Sequence, residues 1–249
     1  MANELIYGFH AVDSAIKSSK VFKVYVENNR QDKRLQALLT ECKAANITVD
    51  HVAAVQLSKL VGEVKHQGVV AEIEAKVALD EQALYDFLDH LDAPPFLLIL
   101  DGVTDPHNLG ACLRSAEAFG VHAVIAPSDR ACGLTPAARK VSSGASERVP
   151  FFQVVNLSRC LEALKKRGIW ITGLAGESKE TIYTVDFRGA CGIVMGAEGE
   201  GMRRLTRELC DFLVQIPMAG MIESLNVSVA TGVTLAEAAR VRQNLSPKK

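Results

Sequence analysis

The 249-residue chain lacks the marks of several large protein classes. No apolar run approaches the ~18 residues that a membrane-spanning helix requires. The opening MANELIYGFHAV has no basic segment leading into a long apolar one, so no secretory leader is expected. None of the six cysteines (42, 112, 132, 160, 191 and 210) forms a CxxC pair. Scattered in this way they read as reduced core thiols of a cytoplasmic protein, and the six histidines do not cluster with them, so no metal site is expected. Repeats and low-complexity segments are absent. So are a GxGxxG turn after a strand and a GK[ST] phosphate loop, which leaves a nicotinamide-dependent oxidoreductase poorly supported.

An excess of one charge is missing too. The net charge is −1, which looks wrong for a nucleic-acid binder until it is divided along the chain. Residues 1–76 carry ten basic and nine acidic side chains, residues 77–95 carry five acids and no base, and residues 96–249 carry eighteen bases against fifteen acids. Much of the negative charge therefore sits in one short stretch, leaving clusters such as Lys165-Lys166-Arg167 and Arg203-Arg204 available. Local fields, rather than the net sum, decide phosphate binding.

What is present is an α/β pattern. With 48% hydrophobic and 23% charged residues the chain can bury a real core, as one large or two small domains. In residues 1–76, VFKVYV (21–26), ITVDHV (47–52) and VVAEIEAKV (69–77) read as strands, and Leu35, Leu38, Leu39 and Cys42 form one helical face. Residues 77–95 place acids around Leu84, Phe87, Leu88 and Leu91 and end in Pro94-Pro95, which reads as a short amphipathic helix within an acidic linker. From Phe96 to about residue 245, the runs FLLIL, VHAVIAP, GIWITGLA, CGIVMG and FLVQIPM alternate with helices, the signature of a parallel sheet covered on both faces. The last helix, about 226–243, is built from small residues with Val229, Val233 and Ala236 along it; residues 246–249 read as a disordered tail.

Three constellations stand out. The first is DGVTDPHNLGACLRSAEAFG (101–120), which sets Asp105, Asn108 and Arg114 just past a buried strand, where ligands of α/β sheets bind. The second, GIVMGAEGEGM (192–202), is a strand running into Gly196, Gly199 and Gly201 with Glu198 between glycines. The third, IPMAGMIESLNVSVATG (216–232), puts Ser224 and Asn226 at the entry to the final helix. Each has a plain structural alternative: Asn108, Ser224 and Asn226 as helix N-caps, Glu198 as a cap for the following helix, Arg114 as a surface partner of Glu117.

Order and spacing go further than any single element. DPxNxGxxxR, then GxEGxG, then IPM followed by SLN, closely resembles the three motifs of the SpoU (TrmH-type) 2′-O-ribose RNA methyltransferases of the SPOUT superfamily, over residues 96 to about 243. YGFHAV and HQGVVA (66–71) also resemble the N-terminal RNA-binding domain of the branch acting on guanosine in 23S rRNA. The resemblance implies a C-terminal α/β domain with a deep trefoil knot, and a smaller N-terminal domain like ribosomal protein L30. It implies a homodimer that takes S-adenosylmethionine as methyl donor and no metal. Gly196, Ile216 and Leu225 would hold the donor, with Gly176 as a further wall. Arg114, Asn108, Glu198, Ser224 and Asn226 would form the catalytic set, and Tyr7, His10, His66 and Gln67 are candidates for RNA contact, each with a buried structural role as the alternative.

Arginine as the base is chemically awkward, because a neutral guanidine at pH 7 costs roughly 9 kcal/mol for a pKa near ~13.8. Arg114 is better suited to gripping a phosphate and stabilising the developing alkoxide. If it does act as base, the RNA phosphate or another cation must help remove its proton. Two rivals remain: the same chemistry on tRNA, whose enzymes usually lack the N-terminal module, and a non-catalytic RNA-binding assembly factor. The intact polar set argues against the latter.

Overall fold

The computed structural model describes residues 3–18, 21–28, 30, 32–62, 64–74, 79–222 and 224–243. The expected domain boundary at 76–77, Glu223 and the expected tail 246–249 lie outside these residues. The chain divides into two compact units, Met1–Val77 with Leu134–Arg148, and Ala78–Gly133 with Val149–Lys249.

The first unit runs β1 (Asn3–Tyr7), α1 (Phe9–Ser18), β2 (Val21–Glu27), α2 (Lys33–Ala44), β3 (Thr48–Val52), α3 (Ala54–Val61) and β4 (Val69–Glu74). Its four strands order β1-β4-β2-β3, with β2 and β3 parallel and the other pairs antiparallel. Alternation along β2 buries Val24 and Val26, which meet Leu35, Leu38 and Cys42 of α2 in one core. Asp32 starts α2 by accepting from the backbone N–H of Arg34 and Leu35 at 3.0 and 3.1 Å. Sequence pattern did not assign residues 134–148 to this unit. There Arg139 is 2% exposed and donates from Nε to Glu4 (2.9 Å) and from Nη1 to Glu147 (2.6 Å), while Ser14 Oγ donates to Gly144 O at 3.1 Å.

The second unit contains α4 (Glu81–Asp89), β5 (Phe96–Asp101), α5 (Pro106–Ala118), β6 (Ala123–Pro127), β7 (Phe151–Val154), α7 (Leu157–Lys166), β8 (Trp170–Leu174), β9 (Cys191–Gly196), α8 (Arg204–Leu209), β10 (Phe212–Val214) and α9 (Val227–Gln243); α6 (Pro136–Val141) belongs to the first unit. Its six strands form an all-parallel sheet ordered β10-β8-β9-β5-β6-β7. Every residue of β5 is buried, as a strand covered on both faces requires. The stretch expected as a linker contributes α4, capped by Asp80, whose Leu84 and Leu88 join the core against Phe152. Asp86 and Asp89 face outward, Glu81 accepts from Tyr85 and Arg159, and the apolar stripe packs into this unit. In α9 the buried residues are Val227, Thr231, Thr234, Leu235, Ala238 and Ala239, whereas Val229 and Val233 are exposed. The face carrying Val229 and Val233 is therefore open in the single chain, and the opposite face is the one that packs on this unit. Two buried threonines satisfy their hydroxyls on the preceding turn, at Val227 O and Ala230 O, so they substitute for apolar residues there.

Candidate active site

Strand order reverses at β5: the chain proceeds from it outward to β6 and β7, then crosses to its other side with β8, and β9 takes the place beside β5. The carboxyl ends of β5 and β9 lie together, with Asp101 and Gly196 as register partners. Such a switch point opens a crevice beyond the strand ends, and all three constellations converge on it.

Beyond β5, Asp105 caps α5 by accepting from His107 N at 2.9 Å, with Pro106 at the first helical position. The cap is therefore Asp105, and Asn108, one turn inside the helix, keeps its side chain free for other work. Its Nδ2 donates to Glu198 Oε2 at 3.3 Å and its Oδ1 accepts from Asn226 Nδ2 at 3.0 Å. Glu198 does not cap α8, whose N-cap residue is Arg203 with no side-chain cap bond. Asn226 does cap α9, since its Oδ1 accepts from the backbone N–H and the hydroxyl of Ser228 at 2.9 and 2.6 Å. One residue from each constellation thus enters a single chain, Glu198–Asn108–Asn226, across 118 residues of sequence.

A cavity of about 350 Å³ opens beside this chain. Gly176, Gly196, Ile216 and Leu225 all line it, together with Glu198 and Ser224. Gly196 is required by close approach: a Cβ there would meet Gly201 C at 2.2 Å and Met202 N at 2.3 Å. Gly199 and Gly201 have φ of +82° and +71°, the left-handed backbone of the turn that closes with Ala197 N to Gly201 O at 3.0 Å. Met195, Met202 and Met218 add apolar wall, and Glu177 and Gln215 add polar groups. A second cavity of about 410 Å³ shares Ala197, Glu198, Glu200, Gly201 and Val227 with the first and extends to Asp101, Asn108, Arg130 and Arg203. Sequence reasoning missed Asp101 and Glu200; the signal available was a carboxylate closing the apolar run FLLIL.

Arg114 is exposed on α5 and lines neither cavity. Six residues separate it from Asn108, which on a helix sets it roughly 120° round the axis. It makes no hydrogen bond or ion pair with another described residue, so the alternative role as a surface partner of Glu117 is not the one seen. Among the described residues no group of three His, Cys, Asp or Glu side chains could hold a metal ion.

The N-terminal candidates divide in two. Tyr7 is buried on β1, under Lys140 Nζ at 4.6 Å from its ring, and burial pushes its hydroxyl pKa up. His66 holds a turn: its Nδ1 accepts from Gly68 N at 3.0 Å, which leaves Nε2–H to donate to Ser58 Oγ at 3.3 Å. His10 and Gln67 are exposed, with His10 against Arg34 (2.7 Å) and Gln67 accepting from Phe9 N at 3.3 Å. Arg30 and Arg34 both stack on the buried Phe9 ring, at 4.8 and 5.0 Å.

Residues 95–236 match the SpoU rRNA Methylase family. The chain belongs to that family. Residues 5–77 match the RNA 2′-O ribose methyltransferase substrate-binding domain. The chain is 52% identical over 244 residues to the 23S rRNA (guanosine-2′-O-)-methyltransferase RlmB of Coxiella burnetii, covering 97% of each. It is 51% identical to RlmB of Ralstonia nicotianae, covering 99% of each. The SpoU methyltransferase AviRb of Streptomyces viridochromogenes, solved with AdoMet, superposes with a TM-score of 0.80 at 24% identity, covering 97% of this chain and 91% of that one. That last likeness is one of fold.

Proposed function

We propose that this protein transfers the methyl group of S-adenosylmethionine to the ribose 2′-OH of a guanosine in 23S rRNA, in the cytoplasm and as a homodimer. The observation that carries the reading is the Glu198–Asn108–Asn226 chain, whose Glu198 lines a glycine-rich cavity. About 350 Å³ lies within the range of small-molecule sites. The cavity lining has no lysine, has thioether and glycine walls, and fits a phosphate-free donor such as S-adenosylmethionine, which carries a sulfonium cation besides its ammonium and carboxylate groups. Near-full-length identity to the RlmB proteins supports the choice of 23S rRNA and of guanosine.

The bound donor supplies an electrophilic sulfonium methyl. Backbone groups at Gly196, Ile216 and Leu225 hold its adenine, ribose and methionine parts, and Gly176 closes one wall. Asn108 and Asn226, fixed by each other and by Glu198, orient the acceptor ribose, and Ser224 bounds the same space. Fixing the acceptor in line with the methyl is the main contribution such a site can make. Arg114 is exposed and makes no hydrogen bond or ion pair with another described residue, which suits a guanidinium that meets the RNA phosphate and stabilises negative charge on the attacking oxygen. Exposed Leu225, Val229 and Val233 suit pairing with a second copy, and the family's trefoil knot fits the convergence of the second and third constellations. In the N-terminal unit, His10 and Gln67 are the accessible candidates for RNA contact; Tyr7 and His66 support the fold beneath them.

The test is transfer of labelled methyl to unmodified 23S rRNA and, separately, to tRNA, with the product mapped by resistance to alkali. Label in a 23S guanosine is the expected result, and Arg114→Ala lowers kcat by roughly 100-fold or more with donor affinity unchanged. Label confined to tRNA would reverse the substrate assignment, and a fully active Arg114→Ala would remove its central role.

A further inference from the structure

The second cavity has a chemistry that transfer of a methyl group does not use. Its wall contains four carboxylates, and three already have work to do. Asp105 caps α5. Glu198 accepts from Asn108. Asp101, at 0% exposure, accepts from Arg203 N at 2.8 Å through Oδ2 and lies 3.4 Å from Arg203 Nε through Oδ1. Asp101 Oδ1 receives no hydrogen bond, an unsatisfied buried acceptor on a cavity wall. The fourth, Glu200, makes no hydrogen bond or ion pair with another described residue and lines both cavities at once. Opposite in charge, Arg130 and Arg203 complete the lining. Arg203 is held by Asp101 on one side and by its Nη2 bond to Asp129 O at 3.4 Å on the other.

The geometry points to this cavity as the seat of the acceptor base, with Glu200 as the residue that reads guanine. The inference rests on the proposed 2′-O-methylation of a guanosine and names how that guanosine is selected. A ribose held at Asn108 and Asn226 leaves its base to occupy the adjoining space, since the two cavities share the wall that carries Glu198. Guanine presents two adjacent donors, N1–H and the 2-amino group, on the edge that an unpaired, splayed nucleotide exposes. A free carboxylate accepts both. Its O6 and N7 are acceptors that suit an arginine. Adenine reverses the pattern: an amino donor would face the arginines, and an unprotonated N1 would face the carboxylate of Glu200. A pocket of this composition therefore prefers guanosine by satisfying guanine and by leaving the polar groups that a bound base covers unpaired against adenine.

The test uses the full-length protein, the mapped target site in a 23S rRNA fragment, and single-nucleotide replacements introduced by ligation. Inosine lacks only the 2-amino group, so wild type should methylate inosine at that site with kcat/KM roughly tenfold below guanosine. In Glu200→Ala the guanosine-to-inosine ratio should fall close to 1. Because Glu200 also lines the donor cavity, absolute rates carry any effect on donor binding, and a ratio taken within one variant cancels it. Glu200→Asp should keep part of the preference. A wild-type ratio near 1, or a ratio in Glu200→Ala equal to that of wild type, would overturn the assignment while leaving the methyltransferase reading intact. Absence of alkali-resistant label in any 23S guanosine with the wild-type protein would overturn both.

Discussion

Replacing Gly196 by alanine puts one methyl group where the structure has no room for it. The new Cβ would lie 2.2 Å from Gly201 C, 2.3 Å from Met202 N and 2.6 Å from Gly201 O, all backbone atoms. Carbon atoms in contact settle at ~3.5–4.0 Å, so the turn must retreat by more than ~1 Å. That turn is closed by Ala197 N to Gly201 O at 3.0 Å and Gly201 N to Ala197 O at 2.9 Å. Losing both bonds costs about 1–3 kcal/mol, and the displaced residues 197–202 are wall of the donor cavity. Affinity for S-adenosylmethionine, measured by titration calorimetry, should fall at least tenfold, or ~1.4 kcal/mol. The melting temperature should drop by several degrees. Gly189→Ala is the control, because a Cβ there meets nothing within 4 Å. Unchanged donor affinity in Gly196→Ala, with Gly189→Ala equally silent, would refute the claim that close approach at this glycine builds the cavity.

Glu147→Gln takes one carboxylate from buried Arg139 while its ion pair with Glu4 stays in place; the first unit should lose about 3 kcal/mol, read as faster hydrogen exchange in β1 and β4, and unchanged exchange would refute this. Burial, and then the Arg242 charge, holds the His122 pKa below its ordinary 6.5, while its Nδ1 accepts from Phe96 N at 3.0 Å. The unfolded chain therefore takes up this proton first, so stability is intact above pH ~6.5 and falls as pH drops below it. His122→Asn, which keeps an acceptor and cannot titrate, should flatten that part of the pH–stability curve; an identical slope would exclude His122 as its source. Asn226→Ala removes both the α9 cap and the bond to Asn108, so it should cost about 1 kcal/mol of stability and slow methyl transfer roughly 100-fold. Loss of stability without loss of rate would reduce Asn226 to a cap.

Local pattern carried most of the second unit's sheet. FLLIL and CGIVMG are continuous apolar runs because β5 and β9 are covered on both faces, and each became a strand at the expected position. β7 was not anticipated, since FFQV is only four residues long and follows directly on Pro150. The run FLVQIPM yielded a strand only over Phe212–Val214, after which the chain leaves the sheet to line the candidate donor cavity with Ile216 and Met218. Residues 134–148 were beyond the reach of periodicity altogether. Their place depends on Arg139 meeting Glu4, 135 residues away, and no local signal marks a buried arginine among surface-like neighbours. The 77–95 stretch was legible as a short amphipathic helix from its apolar spacing, and it forms α4; that its apolar face joins the core beside Phe152 depends on long-range packing.

The site was legible because its polar residues break rules that caps and surface pairs obey. Asn108 could have been a cap by type, but Asp105-Pro106 already supplies one, so an asparagine one turn later is surplus to the helix. Glu198 sits six residues before α8 begins, too far to serve it, and is surplus in the same sense. What sequence could not reveal was that these surplus groups satisfy one another, because the link between them is the pairing of β5 with β9, a long-range contact. The same pairing explains why Asp101 escaped notice. Read along the chain it merely ends a strand; read across the sheet it faces Gly196, holds Arg203 by backbone and side chain, and keeps one oxygen unsatisfied at a cavity wall. A buried carboxylate retained in that state is costly to the fold, and a cost borne at a strand end beside the donor cavity is most simply accounted for by what the cavity must recognise.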